Sequence, residues 1–152
     1  MSSAASVPEG FETIQRIRPG TFAALAGPFY ARREGRAVSI GLRIEERHLN
    51  NRGSCHGGLL ATMADLALGY ACAAASADGQ GRNFVTIDLS VEYLASTRAG
   101  EWLYSEVTVM NADTRTAAAA GHLLVEGRPV ARISANFRMA RARTAAPAGS
   151  GP

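Results

Sequence analysis

Two hydrophobic rhythms share this chain, and one long apolar run lies between them. Val38, Ile40, Leu42 and Ile44 alternate with Ser39, Gly41, Arg43 and Glu45, the period-two pattern of a half-buried strand. A shorter strand is expected before it at Phe29 to Arg33, with a turn at 33–36. From Leu59 through Ala77 the period changes. This run is rich in Ala, Leu and Met, which favour helix, and Leu59/Leu60, Met63, Leu66/Ala67 and Tyr70 recur at helical spacing. The helix is expected to end near Ala75 to Asp78, with Gly79 and Gly81 beyond it. Period two then returns: Val85, Ile87, Leu89, Val91 and Tyr93 alternate with Thr86, Asp88, Ser90 and Glu92. Three further strands follow at Trp102 to Met110, Thr116 to Glu126 and Val130 to Met139, separated by turns at 112–115 and 127–129. In the last of them Ala131, Ile133, Ala135, Phe137 and Met139 share a face. Upstream, Phe11, Ile14, Ile17, Phe22 and Leu25 are apolar anchors in a segment with room for one short helix, broken at Pro19-Gly20. This order predicts an α+β domain, an antiparallel sheet with a single long central helix. The domain covers 9–140, and 1–8 and 141–152 read as disordered tails.

The central helix is two-sided. Gly58, Ala61, Asp65, Gly69 and Cys72 fall together on a face of small residues, and Asp65 is the one formally charged residue between Gly53 and Ala77. A helix apolar on one side and small on the other is expected to be covered on both. One curved sheet gives too little cover, so subunits should associate. A carboxylate in that setting is partly desolvated, which is costly unless it is paired or used.

His56-Gly57-Gly58 opens the helix. A helix N-terminus presents free N–H groups and a partial positive charge, and glycines let a ligand oxygen approach closely. That geometry suits polarising a carbonyl and holding the oxyanion that develops on it. His56 could serve as base or donor. His48, His56 and His122 lack the spacing of a zinc set, so no metal is expected. Cys55 adjoins His56, but neighbours on a turn point different ways, so adjacency does not make a nucleophilic dyad. Asn50 could orient a carbonyl or the loop backbone. Thr86 and Asp88 are placed on one face of their strand.

Composition adds limits. The 152 residues carry a net charge of +3, with a hydrophobic fraction of 47% and a charged fraction of 19%, ordinary for one soluble domain. All basic residues are Arg. The excess suits a phosphorylated ligand, and scattered surface Arg explains it equally well. No aromatic-interleaved basic stripe points to nucleic acid. Two cysteines, Cys55 and Cys72, make no disulfide framework. Met1 to Pro8 lacks the apolar core of a signal peptide, and the helix run, with its Asp, Thr, Ala and Gly, is a poor membrane span. A cytoplasmic protein is expected.

Taken together, Asn50-x-x-Gly53-x-x-His56-Gly57-Gly58 followed by Asp65 resembles the hotdog-fold acyl-CoA thioesterases. It is most similar to the branch of the phenylacetyl-CoA thioesterases and thioesterase superfamily member 2. The likeness runs from about Phe11 to Met139 and includes the strand Val85 to Leu94. It implies a sheet wrapped around the helix, a dimer with one continuous sheet, and usually a homotetramer. By position, Asp65 would be general base or nucleophile on an acyl-CoA thioester, and the Gly57 amide would polarise the carbonyl. Asn50 and His56 would support the loop, the carbonyl or the departing sulfur, and Thr86 would help place water. Gly58 would lie against the substrate, and Arg115 and Arg138 would meet the CoA phosphates. No cofactor is needed, because a thioester is already reactive. Gly57 and Asp65 lie ~12 Å apart along one helix, so a site should combine Gly57 of one subunit with Asp65 of another. A hydratase or dehydratase acting on acyl thioesters, and a non-catalytic acyl-CoA-binding module, are the competing readings.

Overall fold

A single seven-stranded antiparallel sheet packs around one 19-residue helix in the computed structural model, which describes residues 6–76 and 84–140. In chain order the elements are β1 (Glu12–Thr13), α1 (Phe22–Ala26), β2 (Tyr30–Glu34), β3 (Ala37–Arg43), a 3-10 turn (Glu46–His48), α2 (Gly57–Ala75), β4 (Phe84–Tyr93), β5 (Trp102–Ala112), β6 (Thr116–Val125) and β7 (Arg128–Met139). The sheet order is β1-β2-β3-β5-β6-β7-β4, so β4, the strand that follows the helix, ends up on an edge. The expected tails and the end of the helix beyond Ser76, with Gly79 and Gly81, fall largely or wholly outside the described residues.

Helix α2 forms because its interior is Ala, Leu and Met, and it is held because one side meets the sheet. Met63, Ala64, Ala67, Leu68 and Cys72 are fully buried against Ile40 and Leu42 of β3, Leu103 of β5, Ala119 and Leu123 of β6, and Ile133 and Phe137 of β7. Each large side chain so buried contributes about 1.5–3 kcal/mol. The buried stripe is rotated from the one periodicity gives. Leu66 and Tyr70 are only half-buried, whereas Ala64, Ala71 and Cys72 are buried. Small residues allow the closest approach to the sheet, which moves the contact line toward them. The small face of the helix is therefore not uniform. Its C-terminal part is covered, with the Phe137 ring 3.7 Å from where a Gly69 side chain would begin. Its N-terminal part, around Gly58, Ala61 and Asp65, is less enclosed.

Two further departures bear on the site. The short helix lies wholly beyond Pro19-Gly20, and its Phe22 and Leu25 are 70% and 68% exposed. They are not core anchors. Ile14 and Phe29 are buried instead. The Arg47 guanidinium donates to the carbonyls of Leu25 and Gly27 and ties α1 to the loop before α2.

The second departure is in β4. Its pairing with β7 slips by one residue at Ile87, so that Thr86 pairs with Phe137 and Asp88 with Asn136. This is a β-bulge, which re-aims side chains locally. Before the bulge Thr86 turns toward α2 and Val85 outward. After it Leu89 and Val91 turn inward and Asp88 outward. Thr86 and Asp88 therefore do not share a face, because the extra residue between them reverses the alternation.

Candidate active site

The start of α2 is built almost entirely from backbone. His56 is the N-cap, with extended dihedrals (φ −64°, ψ 132°), and its Nδ1 accepts from the Gly58 N–H at 2.9 Å. Its carbonyl accepts from Leu59 N (2.9 Å) and Leu60 N (3.3 Å). Among the described residues nothing accepts from the Gly57 N–H, so Gly57 carries the open donor that a helix N-terminus offers. Gly58 does not share that role, since its amide is satisfied by His56. A side chain there would instead crowd its acceptor, because a Cβ would lie 3.0 Å from His56 Nδ1.

Asn50 shapes the approach to this donor. Its Oδ1 accepts from Arg52 N at 2.8 Å and Ser54 N at 3.4 Å, and its Nδ2 donates to Ser54 Oγ at 3.0 Å. Asn is suited to close such a loop on itself. The loop is anchored below by His56 N donating to His48 O at 2.8 Å and Cys55 N to Thr97 O at 3.1 Å. Asn50, Ser54, Gly57, Leu60, Tyr93 and Thr97 are among the residues lining a groove of about 350 Å³.

Asp65 belongs to a second groove, also about 350 Å³, lined otherwise by Phe22, Ala23, Ala61, Thr62, Leu66 and Leu89. Every wall except Thr62 and Asp65 is apolar. Thr86 Oγ1 donates to Asp65 Oδ1 at 2.6 Å, a short bond of the kind a charged acceptor makes. The bulge at Ile87 puts Thr86 in reach. Asp65 Oδ2 has no partner among the described residues. The two grooves share no lining residue, so one chain holds the amide and the carboxylate apart.

The remaining candidates fall elsewhere. Arg115 and Arg138 are brought together at one end of the sheet, where Met139 N donates to Arg115 O and Arg138 pairs with Thr116 and Val85. Neither lines either groove. Burial raises the pKa of both thiols, that of Cys72 to about 11, so neither cysteine is a ready thiolate at neutral pH. No cluster of three or more His, Cys, Asp or Glu side chains suited to a metal ion occurs among the described residues.

Sequence reasoning missed Tyr93, whose hydroxyl donates to Gly57 O at 3.0 Å. It reads as the last apolar member of an alternating strand, and only the fold brings it over the helix start.

The family model of the thioesterase superfamily matches residues 52–131, which begin just before the helix start and include α2 and β4 through β6. The chain belongs to the thioesterase superfamily. It is 38% identical over 135 residues to a putative esterase of Pseudomonas aeruginosa, covering 88% of this chain and 98% of that one. It is 27% identical over 98 residues to mouse acyl-coenzyme A thioesterase 13, covering 63% of this chain and 56% of that protein. The PaaI protein from the phenylacetic acid degradation operon of Escherichia coli superposes with a TM-score of 0.69 at 20% identity, over 80% of this chain and 86% of that one. The sheet around a single helix is thus the hotdog fold of this superfamily, and the chain is a thioesterase-superfamily enzyme.

Proposed function

We propose that this hotdog enzyme hydrolyses acyl-CoA or aryl-CoA thioesters to free acid and CoA. The observation that carries the reading is the Asp65 carboxylate, held through Oδ1 by Thr86 in a groove whose walls are apolar apart from Thr62, with Oδ2 unpartnered among the described residues. Asp65 activates a water that attacks the thioester carbonyl, or attacks it directly. The Gly57 N–H stabilises the oxyanion, and such a donor is commonly worth a hundredfold or more in rate. Thr86 steadies the carboxylate and helps place the water. Asn50 and His56 hold the loop that presents the carbonyl.

A second copy of the chain supplies the missing half. Strand β4 is ten residues long and lies on the sheet edge, with Val85, Ile87 and Tyr93 42%, 60% and 57% exposed. A long apolar edge of this kind is a template for pairing. Tyr93 at its end touches Gly57, and Thr86 near its start touches Asp65. Antiparallel pairing of β4 with β4 of a second copy would set each Gly57 end beside the other's Asp65 end. The reading thus carries a homodimer with two composite sites, paired again as a tetramer. Arg115 and Arg138, together at one end of the sheet, would take CoA phosphates. No step calls for a metal or cofactor. The setting is cytoplasmic, where the buried Cys55 and Cys72 stay reduced.

Thiol release from short, medium, long and aromatic acyl-CoAs tests this. Asp65→Asn and Asp65→Ala should each lose at least ~100-fold in kcat with an unchanged thermal midpoint. Full activity in Asp65→Ala overturns the assignment. Water loss from a 3-hydroxyacyl thioester without thiol release would make the protein a dehydratase. Tight CoA-ester binding without turnover would make it a binding module.

A further inference from the structure

We infer that Tyr93 is a positioning residue that fixes the direction of the Gly57 amide. Its kinetic consequence rests on the thioester-hydrolase reading, while its structural one does not. The helix opens on two consecutive glycines, which are free to approach a ligand and for the same reason free to swing. An amide donor that drifts loses most of its value, since misplacement by about an ångström can cost a hundredfold in rate. Something must hold these peptides still.

The structure shows what does. The Gly57–Gly58 peptide is gripped on both edges. Its N–H, on Gly58, donates to His56 Nδ1 at 2.9 Å, and its carbonyl, on Gly57, accepts from the Tyr93 hydroxyl at 3.0 Å. The preceding peptide is held by the bonds from Leu59 N and Leu60 N to the His56 carbonyl. The open N–H of Gly57 lies in the preceding plane, and Tyr93, by holding the following plane across the flexible Gly57 Cα, keeps the preceding one from turning about that hinge. The Tyr93 ring also stands 3.3 Å from where a Gly57 Cβ would be, so it packs against the space the missing side chain leaves. Within the single chain the ring is 57% exposed, on the edge strand proposed for pairing, so packing against this chain's own core does not account for it. Its polar contact is with the carbonyl of Gly57, the residue whose amide is open.

Tyr93→Phe keeps the ring and deletes the hydroxyl. In the full-length protein kcat for the best acyl-CoA should fall about five- to tenfold, the factor of one net hydrogen bond, with KM within twofold of wild type. Amide exchange at Gly58 should quicken by about the same factor, while exchange at Leu68 in the buried middle of α2 stays unchanged. Unchanged kcat, or unchanged Gly58 exchange, overturns the inference. A rise in KM alone would make Tyr93 a wall of the substrate groove and also overturns it. If wild-type protein releases no thiol from any thioester, the hydrolase reading fails separately, and Gly58 exchange still decides whether Tyr93 holds the peptide.

Discussion

The two ends of the candidate site are built from different materials. At the start of α2 the group proposed to work is a backbone amide, and several hydrogen bonds from Asn50, His56 and Tyr93 hold the chain around it. In the middle of α2 the group proposed to work is a side chain, and among the described residues Thr86 alone holds it, through one bond in a mostly apolar groove. The first end is redundant and polar. The second is singly supported and mostly apolar. An amide has a fixed chemistry and needs only direction, which many weak contacts can supply. A carboxylate has a variable chemistry and needs an environment, which apolar walls and one donor can tune.

That contrast can be broken in order of size. Loss of the Asp65 carboxylate should be the largest effect, as stated above. Gly57→Ala comes next. Its Cβ would meet the Tyr93 ring at 3.3 Å and push on the peptide, so kcat should fall roughly ten- to hundredfold. Stability should change little, by less than about 1 kcal/mol, since Gly57 is the first residue of the helix and the exposed Tyr93 ring has room to give. Paired activity and thermal-melt measurements would show the rate falling far more than the stability, and a matching loss of both would contradict the argument. Thr86→Val, which keeps the shape and removes the hydroxyl, should lower kcat about tenfold, and Thr86→Ser should restore most of it. If Thr86→Val retains full rate, the single support is not needed.

The smallest effect concerns acid. His48 is buried, its Nδ1 accepts from Glu45 N at 3.0 Å, and its carbonyl anchors His56. Burial, helped by the Arg47 charge, lowers its pKa below the ordinary 6.5. The folded state therefore keeps His48 neutral where the unfolded chain would already bind a proton. Its contribution is full above about pH 6.5 and is lost as the pH falls from there toward the lowered folded value. Urea midpoints at pH 8, 7, 6 and 5 should drop over the acid half of this range, and less so in His48→Gln. Equal slopes in both proteins would exclude His48 as the cause.

Much of this was legible in the residues. The long helix, the strands β3 to β7, the antiparallel sheet and the isolation of Asp65 follow from periodicity and charge alone. The parts that were not legible have physical reasons. Nothing in Val85 to Tyr93 marks a bulge, neither Gly nor Pro, so an unbroken alternation hides the reversal at Ile87 that turns Thr86 toward Asp65. β1 has two residues and depends on pairing with β2, which no local pattern encodes. Phe22 and Leu25 look like core by type and are largely exposed, because the five-residue helix that carries them buries no residue and faces α2 only across a groove.

The bulge at Ile87 gives β4 two phases in one strand. Downstream of it, the odd-numbered residues Leu89 and Val91 pack inward. Upstream, the even-numbered Thr86 does so. The strand can thus carry a packing code and a chemical code that do not constrain one another. Residues 89 and 91 can drift among hydrophobic types to suit the core, while the hydroxyl at 86 is read in a different frame. Deleting residue 87 would merge the frames without turning either half: Thr86 opposite Phe137 and Asp88 opposite Asn136 would become neighbours in one regular ladder, with the hydroxyl and Leu89 both still facing inward.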